Sequence, residues 1–233
     1  MLAIFAALKE EIKPILAEME AAETVYLRPA VIMRGEYLGR EILISHTGVG
    51  VEKMRRAVEF CIREYRPATC INIGYCGALT PNLALADIVI AGEVVDETSG
   101  LIYKCNYPIT GGKNGTILTV HKSIATPHEK AYLGTKFGAV AVDMESSGLA
   151  AAAAAANMPF AVVRSVLDQM DMFLPEFTNV ISEDGTASLL NLAANVVKYP
   201  KNVLSLPHLQ FCAHKARETL MSFIDELIKK EIK

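Results

Sequence analysis

Long apolar runs are absent from this chain, and so is an excess of charge of either sign. No charge-free stretch reaches the roughly 18 residues that a membrane-spanning helix needs, although 52% of the 233 residues are hydrophobic. The 23 basic and 26 acidic residues are interspersed and leave a net charge of −3, which disfavours nucleic acid as a partner. Met1–Leu8 is apolar but lacks the basic start of a signal peptide. We therefore expect a cytoplasmic protein.

Several common site motifs are missing as well. The five cysteines form no CxxC pair and no zinc spacing, and no HxH or HExxH sequence points to a metal. No GK[ST] completes a Walker loop, no third glycine completes a dinucleotide fingerprint, and no GxSxG marks a nucleophilic serine. We therefore expect neither a metal nor a cofactor, and an NAD-dependent oxidoreductase is disfavoured.

Strand-like and helix-like segments alternate along the chain, which predicts a largely parallel sheet with helices on both faces. Without an internal repeat, linker or composition break, residues 1–233 are predicted to form a single domain. Apolar segments predict strands at Leu2–Ala7, Val31–Met33, Ile42–Ser45, Cys70–Ile73, Ile88–Val95 and Thr116–Val120. Helices are predicted at Glu10–Met19, Val51–Tyr65, Ala187–Val197 and Leu209–Ile228.

The stretch from residue 139 to 171 is the most informative part of the sequence. A strand at Ala139–Val142, a helix at Glu145–Asn157 and a strand at Phe160–Val166 together predict a βαβ unit with parallel strands. Open parallel sheets bind ligands where their strands end. We therefore expect the acids at these strand ends to converge on one site, namely Asp143, Glu145 and Asp168.

Two glycine-containing segments follow predicted strands. Gly48–Val49–Gly50 precedes a helix and could offer backbone N–H groups to an anion. Gly74–Tyr75–Cys76–Gly77 could form a loop that lets a planar or sugar ligand approach the backbone. A tight turn would also explain each segment. Glu11, in the first turn of the first helix, is either a further site acid or a partner of the helix dipole. Three acids beside two glycine segments favour acid/base chemistry on a neutral polar ligand.

The order of these motifs resembles the purine nucleoside phosphorylase/uridine phosphorylase superfamily, and most closely its nucleosidase branch. The resemblance covers about residues 1–171 and is carried by TGVG, NIGYCGAL, LADIVIAG, VAVDMES and PFAVVRSVLD. It implies a three-layer αβα sandwich around a mixed, partly barrel-like sheet. It also implies a homo-oligomer that cleaves the N-glycosidic bond of an adenine nucleoside.

The resemblance assigns roles to individual residues. Asp168 matches the acid that protonates purine N7, and Glu145 matches the acid that holds the ribose hydroxyls, with Met144 against the sugar. Glu11 matches the acid that activates water in hydrolytic members. The segment Gly74–Gly77 matches the loop beside base and sugar.

The tail resembles one branch more narrowly, the hopanoid-associated phosphorylases, through LPEF, EDGTASLL and VVKYPKNVLSLPHL. That branch implies adenine release from an adenosylhopane-like, lipid-linked nucleoside. An apolar mouth for such a 5′ group could come from Phe173 and its neighbours Met170, Met172 and Leu174, together with Leu209, Phe211 and Leu220. Ordinary core packing would explain these residues equally well.

The sequence departs from the family pattern at three positions. Tyr75 replaces a serine, Leu167 replaces the serine beside the site aspartate, and Ile73 stands where phosphorolytic members often carry arginine. Arg34, Lys9 and the amides of Gly48–Gly50 could still hold phosphate, so the acceptor stays open between phosphate and water. A methylthioadenosine/adenosylhomocysteine-type nucleosidase and a non-catalytic nucleoside-binding protein remain alternatives.

Overall fold

The computed structural model describes residues 1–174 and 206–230. Its strands are β1 Leu2–Ala6, β2 Glu20–Leu27, β3 Ala30–Tyr37, β4 Arg40–His46, β5 Thr69–Ala78, β6 Ile88–Asp96, β7 Ile102–Lys104, β8 Lys113–Thr119, β9 Ala141–Asp143 and β10 Phe160–Asp168. Its helices are α1 Lys9–Glu18, α2 Val51–Tyr65, α3 Pro127–Phe137, α4 Ser146–Ala155 and α5 Leu206–Lys230. Among these described helices, none is both long enough and apolar enough to cross a membrane.

The strands form one mixed sheet that closes on itself at one end. Neighbouring strands follow the order β10-β6-β8-β9-β5-β1-β4-β3-β2, and β10 also pairs with β5. The five strands β5, β10, β6, β8 and β9 therefore form a barrel. Strands β1, β4, β3 and β2 extend from β5 as an open sheet, and β7 pairs with β6. The pairings β5–β9 and β6–β10 are antiparallel, whereas β5–β10, β6–β8 and β8–β9 are parallel.

Helices cover both faces of the sheet, because successive side chains of each strand point to opposite sides. In β1, Ala3 and Phe5 pack in the core that contains Met54 of α2 and Leu149 of α4. Leu2, Ile4 and Ala6 pack in the opposite core, together with α1 and α5, through Ile12, Ile15, Leu220 and Ile224. The three-layer αβα arrangement with a partly barrel-like sheet is confirmed.

Helices α2 and α4 approach each other closely because α4 consists of small residues. A side chain at Gly148 would place its Cβ 2.2 Å from the carbonyl oxygen of Val51, the first residue of α2. The alanines of α4 continue this contact, since Ala150, Ala152 and Ala153 are buried. The N-termini of the two helices are therefore held side by side near Gly50 and Glu145.

The structure corrects the prediction of a parallel βαβ unit around α4. Strand β9 runs antiparallel to β5, and β10 runs parallel to β5, so β9 and β10 have opposite directions. A three-residue strand is too short for its sequence to reveal which neighbour it pairs with. The segment Gly74–Gly77, predicted as a loop, belongs to β5 instead.

Other elements differ from the prediction or lie beyond it. Strands β2 and β7 and helix α3 were not predicted, whereas the bounds of α2 agree with the prediction. Six of the eight residues of β2 are exposed, five of them in succession, so their sequence carries no strand pattern. The predicted helix Ala187–Val197 and the tail motifs between residues 175 and 205 lie outside the described residues.

Candidate active site

A cavity of about 200 Å³ opens where the barrel meets α1, the start of α2 and the start of α4. Its wall is mostly apolar and includes Val120, Ile124 and Leu174. Four carboxyl groups interrupt that apolar wall, and each comes from a different element end: Glu11, Asp143, Glu145 and Asp168. Such a mixture of apolar wall and convergent acids is typical of sites for small polar ligands.

Strand β5 brings the acids together through Gly77. This residue pairs with Val142 of β9 on one side and with Asp168 of β10 on the other. A Cβ on Gly77 would lie 3.0 Å from Asp168 Oδ2 and 3.3 Å from Val142 Cγ1. The bare backbone of glycine therefore lets Asp168 approach the cavity from one side and Asp143 and Glu145, at and just after the end of β9, from the other.

Asp168 is paired with a buried lysine. The Nζ atom of Lys130 lies 2.6 Å from Asp168 Oδ2, and both side chains are almost inaccessible to water. The same ammonium donates hydrogen bonds to the carbonyl oxygens of Gln169, at 2.7 Å, and Met172, at 2.9 Å. Burial raises the pKa of Asp168, and the charge and contact of Lys130 partly offset that rise.

Asp143 forms the centre of a second buried ion pair. Arg164 of β10 donates from Nε to Asp143 Oδ2 at 2.8 Å, and Thr119 donates its hydroxyl to Oδ1 at 2.9 Å. The hydroxyl of Ser146 also contacts Oδ2. Because both oxygens are engaged, Asp143 mainly fixes Arg164 and the start of α4 and is poorly placed to bind a ligand itself.

Glu145 is held by the glycine segment before α2. The backbone N–H of Gly50 donates to Glu145 Oε1 at 2.9 Å. Burial raises the pKa of Glu145 to about 8, and the charge of Asp143 adds to the rise while Arg164 opposes it. A carboxyl group with such a pKa carries a proton over much of the neutral range.

Glu11 is buried against β5, and its carboxyl group accepts hydrogen bonds from two backbone amides. Its Oε2 atom accepts from Leu8 N at 2.8 Å, and its Oε1 atom accepts from Tyr75 N at 3.0 Å. A Cβ on Gly74 would lie 2.7 Å from Glu11 Oε1, so glycine is required there for the acid to reach the strand. Burial raises the pKa of Glu11, and these amide contacts partly offset the rise.

Most of the predicted site residues meet at this cavity. Its lining includes Glu11, Val49, Tyr75, Cys76, Gly77, Asp143, Met144, Glu145, Leu167 and Asp168. Gly50 and Gly74 do not line the cavity themselves, but they contact Glu145 and Glu11, which do. Gly48 donates its N–H to Ala7 O at 2.9 Å.

Three predicted site residues are not brought to the cavity: Gly48, described above, Arg34 and Phe173. Arg34 lies on β3 and donates from Nε to Glu41 of β4 at 2.8 Å, far from the barrel in strand order. The side chain of Phe173 is 69% exposed and does not line the cavity, although Leu174 beside it does. Arg34 and Phe173 thus do not belong to the cavity wall of the described residues, and their assignment to phosphate and to the 5′ group of the substrate stays a prediction.

Two buried cations of the site were missed by the sequence analysis. Arg164 interrupts the apolar strand β10 and is 1% exposed, and Lys130 on α3 is fully buried. A charged residue within an apolar strand is a usable signal for Arg164. Lys130 offers no such signal, because lysine on a short helix is usually solvated. Among the described residues, no group of three or more metal-ligating side chains is arranged to hold a metal ion.

A family model described as "Phosphorylase superfamily" matches this chain over residues 1–112 and 107–198. Together these matches span most of the sequence. The chain belongs to the phosphorylase superfamily. The site described above is thus the cavity of a superfamily member, and the resemblance noted from the sequence motifs is confirmed at that level.

Relatives of this superfamily member include nucleosidases. A 5′-methylthioadenosine/S-adenosylhomocysteine nucleosidase of Bacillus thuringiensis subsp. konkukian is 24% identical, over 72% of this chain and 85% of its own length. The solved structure of such a nucleosidase from Neisseria meningitidis, in complex with methylthio-immucillin-A, superposes with a TM-score of 0.74 at 18% identity, covering 98% of both chains. A futalosine hydrolase mutant of Helicobacter pylori superposes with a TM-score of 0.68 at 19% identity, covering 97% of this chain and 98% of its own. At these identities the superpositions establish a shared fold.

Proposed function

We propose that this protein hydrolyses the N-glycosidic bond of an adenine nucleoside that carries a 5′ substituent, releasing adenine. The observation that carries the proposal is the convergence of Asp168, Glu145 and Glu11 on one largely apolar cavity. The names of the relatives support it, since they cleave nucleosides whose base is attached through the same type of bond.

The base side of the reaction is assigned to Asp168. Breaking the bond between ribose C1′ and purine N9 leaves an electron pair on the base, and a proton on N7 lets the base depart neutral. Asp168 stands in an apolar wall where burial raises its pKa, which favours the protonated acid required for that transfer. General acid catalysis of this kind contributes roughly 10²–10⁴-fold in rate.

The sugar side is assigned to Glu145 and Glu11. Glu145 accepts from Gly50 N and faces the cavity, where its carboxyl group can hold ribose hydroxyls, with Met144 packed beside it. Glu11 faces the same cavity and can take a proton from water as the water oxygen bonds to C1′. The water proton passes to Glu11, while the C1′–N9 electron pair leaves with the base.

Three of the groups proposed from the sequence for phosphate, Gly48, Gly50 and Arg34, already have partners within the protein, and this favours water as the acceptor. The amide of Gly48 donates to Ala7 O, and the amide of Gly50 donates to Glu145. Arg34 is paired with Glu41 on the open part of the sheet. A phosphate dianion near Glu11 and Glu145 would also be repelled whenever these acids are ionised.

A bulky apolar 5′ group, as in an adenosylhopane-like nucleoside, is the second candidate substrate. It is favoured by the exposure of Phe173 next to Leu174, which lines the cavity, and by the exposed Phe211 of α5. A methylthio or homocysteinyl group is the first candidate, because the nucleosidase relatives carry these substrates in their names.

The experiment that tests the proposal is adenine release from three nucleosides, with and without phosphate. The substrates are adenosine, methylthioadenosine and an adenosyl compound with a long apolar 5′ chain. We expect release in phosphate-free buffer, fastest with methylthioadenosine. Fastest release from the apolar compound would favour the second candidate, and loss of that preference in F173S would assign it to Phe173. Release that requires phosphate would replace hydrolysis by phosphorolysis, and binding without release would leave a nucleoside-binding protein.

A further inference from the structure

Lys130 is a fully buried lysine, and the three oxygen atoms that its ammonium contacts among the described residues each lie at or just after the end of β10. Its ammonium contacts Asp168 Oδ2 at 2.6 Å and the carbonyl oxygens of Gln169 and Met172 at 2.7 and 2.9 Å. Burying an ammonium costs several kcal/mol unless its hydrogens find such partners. The buried ammonium of Lys130 therefore lies beside Asp168, the acid assigned to protonate the leaving base.

Local structure fixes the position of Lys130 along α3. Thr126 caps this helix by accepting from Glu129 N at 3.2 Å, Pro127 is its first residue, and Leu133 packs in the core. The N–H of Leu174 donates to Ala125 O at 2.9 Å, which joins the segment after β10 to the start of the helix. The position of Lys130 is therefore fixed by helix α3, and the segment after β10 that it contacts is hydrogen-bonded to the start of the same helix.

We propose that Lys130 is the positioning residue for the leaving-group acid, holding Asp168 towards the base and stabilising the carboxylate that remains after proton transfer. This inference rests on the proposed function. In the step, the Asp168 O–H bond breaks as the N7–H bond forms, and the C1′–N9 electron pair stays with adenine. The new negative charge on Asp168 then lies against the ammonium of Lys130.

Lys130 is the charged group that faces Asp168 from the described elements. Cys76 of β5 and Cys212 of α5 also lie near this carboxylate, and burial raises the pKa of both thiols, so they stay neutral near pH 7. The ammonium alone thus opposes the effect of burial on Asp168. Removing it makes Asp168 hold its proton to a higher pH and weakens it as a proton donor.

The test compares K130M with K136M, which changes an exposed lysine on the same helix. With methylthioadenosine as substrate, we expect kcat of K130M to fall by about 10- to 100-fold with KM close to the wild-type value. The alkaline limb of the pH profile, where activity is lost as Asp168 loses its proton, should move to higher pH. K136M should match the wild type in kcat, KM and pH profile.

Two further measurements separate positioning from a merely structural role. Binding of a 7-deaza analogue, which has no N7, reports the shape of the pocket and should be retained in K130M. In a D168N background, K130M should cause no further loss of kcat, because Lys130 acts through Asp168. The double variant also buries no unpaired charge, so it tests the inference if K130M alone does not fold.

Three outcomes would overturn the inference. Wild-type activity in K130M would show that Lys130 does not act on Asp168. A loss of kcat of equal size at every pH, or a further loss in the D168N background, would show that Lys130 only anchors residues 169–172. If the wild-type protein itself releases no adenine from any nucleoside, the proposed function fails and this inference fails with it. An active wild type beside an unaffected K130M would refute the inference alone.

Discussion

At the residue scale, the four acids of the cavity fall into two pairs. Asp143 and Asp168 each contact a buried cation, Arg164 and Lys130 respectively. Glu11 and Glu145 accept hydrogen bonds from backbone amides, and burial raises the pKa of both. Perturbed acids in a shared cavity mark functional sites more often than they mark structural ones. This division supports proton donation to the base by one acid and work on the sugar by two others.

Substitution D168N tests the base-side assignment. The amide cannot donate a proton of comparable acidity to N7, so kcat for adenine release should fall by about 10²-fold or more while KM changes little. The matched control is D171N, which alters an exposed aspartate three positions along the chain. Equal kcat in D168N and wild type would remove Asp168 from the chemistry.

Substitution E145Q tests the buried, protonated state of Glu145. Its pKa is raised from 4.5 to about 8 on folding, so between these values the folded protein keeps a proton that the unfolded chain has lost. The free energy of unfolding should therefore fall as pH rises through this window. E145Q should flatten that slope in urea unfolding at about pH 5 and about pH 8, whereas E36Q, at an exposed site, should not. An unchanged slope in E145Q would contradict the assignment.

The sequence was sufficient to identify the acids of the site, but not the buried cations that pair with two of them. Asp168, Glu145 and Glu11 follow recognisable strands or open helices, and all three line the cavity. Lys130 could not be found from its sequence position, because only the fold shows that α3 points at the end of β10. The contact that Arg34 makes with Glu41 could not be found from the sequence either, because it depends on the register between β3 and β4.

At the scale of elements, the close packing of α2 on α4 holds Glu145 near Gly50. In G148A the new methyl would lie 2.2 Å from Val51 O, so the helices must separate. We expect a loss of about 1–3 kcal/mol in unfolding free energy, typical of overpacking, together with reduced activity. G92A is the control, since a Cβ there meets nothing within 4 Å. Unchanged stability and activity in G148A would show that this contact does not hold the site together.

Elements with a clear pattern were predictable from the sequence, and short or exposed ones were not. The amphipathic helix α2 and the apolar strands β1, β6 and β10 match their predicted positions closely. Strand β2 is mostly exposed and β7 has three residues, so neither alternation nor length marks them; β9, equally short, was predicted near its place but with the wrong direction. The Thr126–Pro127–His128–Glu129 sequence is a helix-start signal that would have located α3.

At the scale of the whole molecule, barrel closure is the feature that creates the site. Because β5 pairs with both β9 and β10, Gly77 brings Asp168, Asp143 and Glu145 to one cavity despite the opposite directions of β9 and β10. The sequence predicted that these acids converge, but it based this on parallel strands β9 and β10, and that basis was wrong. A single domain over residues 1–233 remains a prediction.

The predicted homo-oligomer is also testable at this scale. Leu101 and Ile102 adjoin each other at the turn between β6 and β7 and are 55% and 58% exposed, which favours burial in an assembly. We expect light scattering to give a multiple of the chain mass, and I102E to reduce it. Y26E changes another exposed apolar side chain, on β2, and should leave the mass unchanged. A wild-type mass equal to one chain would contradict the prediction.

The most direct test of the central claim is the fate of ¹⁸O-labelled water during cleavage of methylthioadenosine in the presence of saturating phosphate. Mass spectrometry of the products identifies both the bond that breaks and the acceptor. Hydrolysis predicts adenine together with methylthioribose that carries one ¹⁸O atom, and a large loss of both products in D168N. Unlabelled methylthioribose 1-phosphate would contradict water as the acceptor, and intact substrate would contradict catalysis of N-glycosidic cleavage.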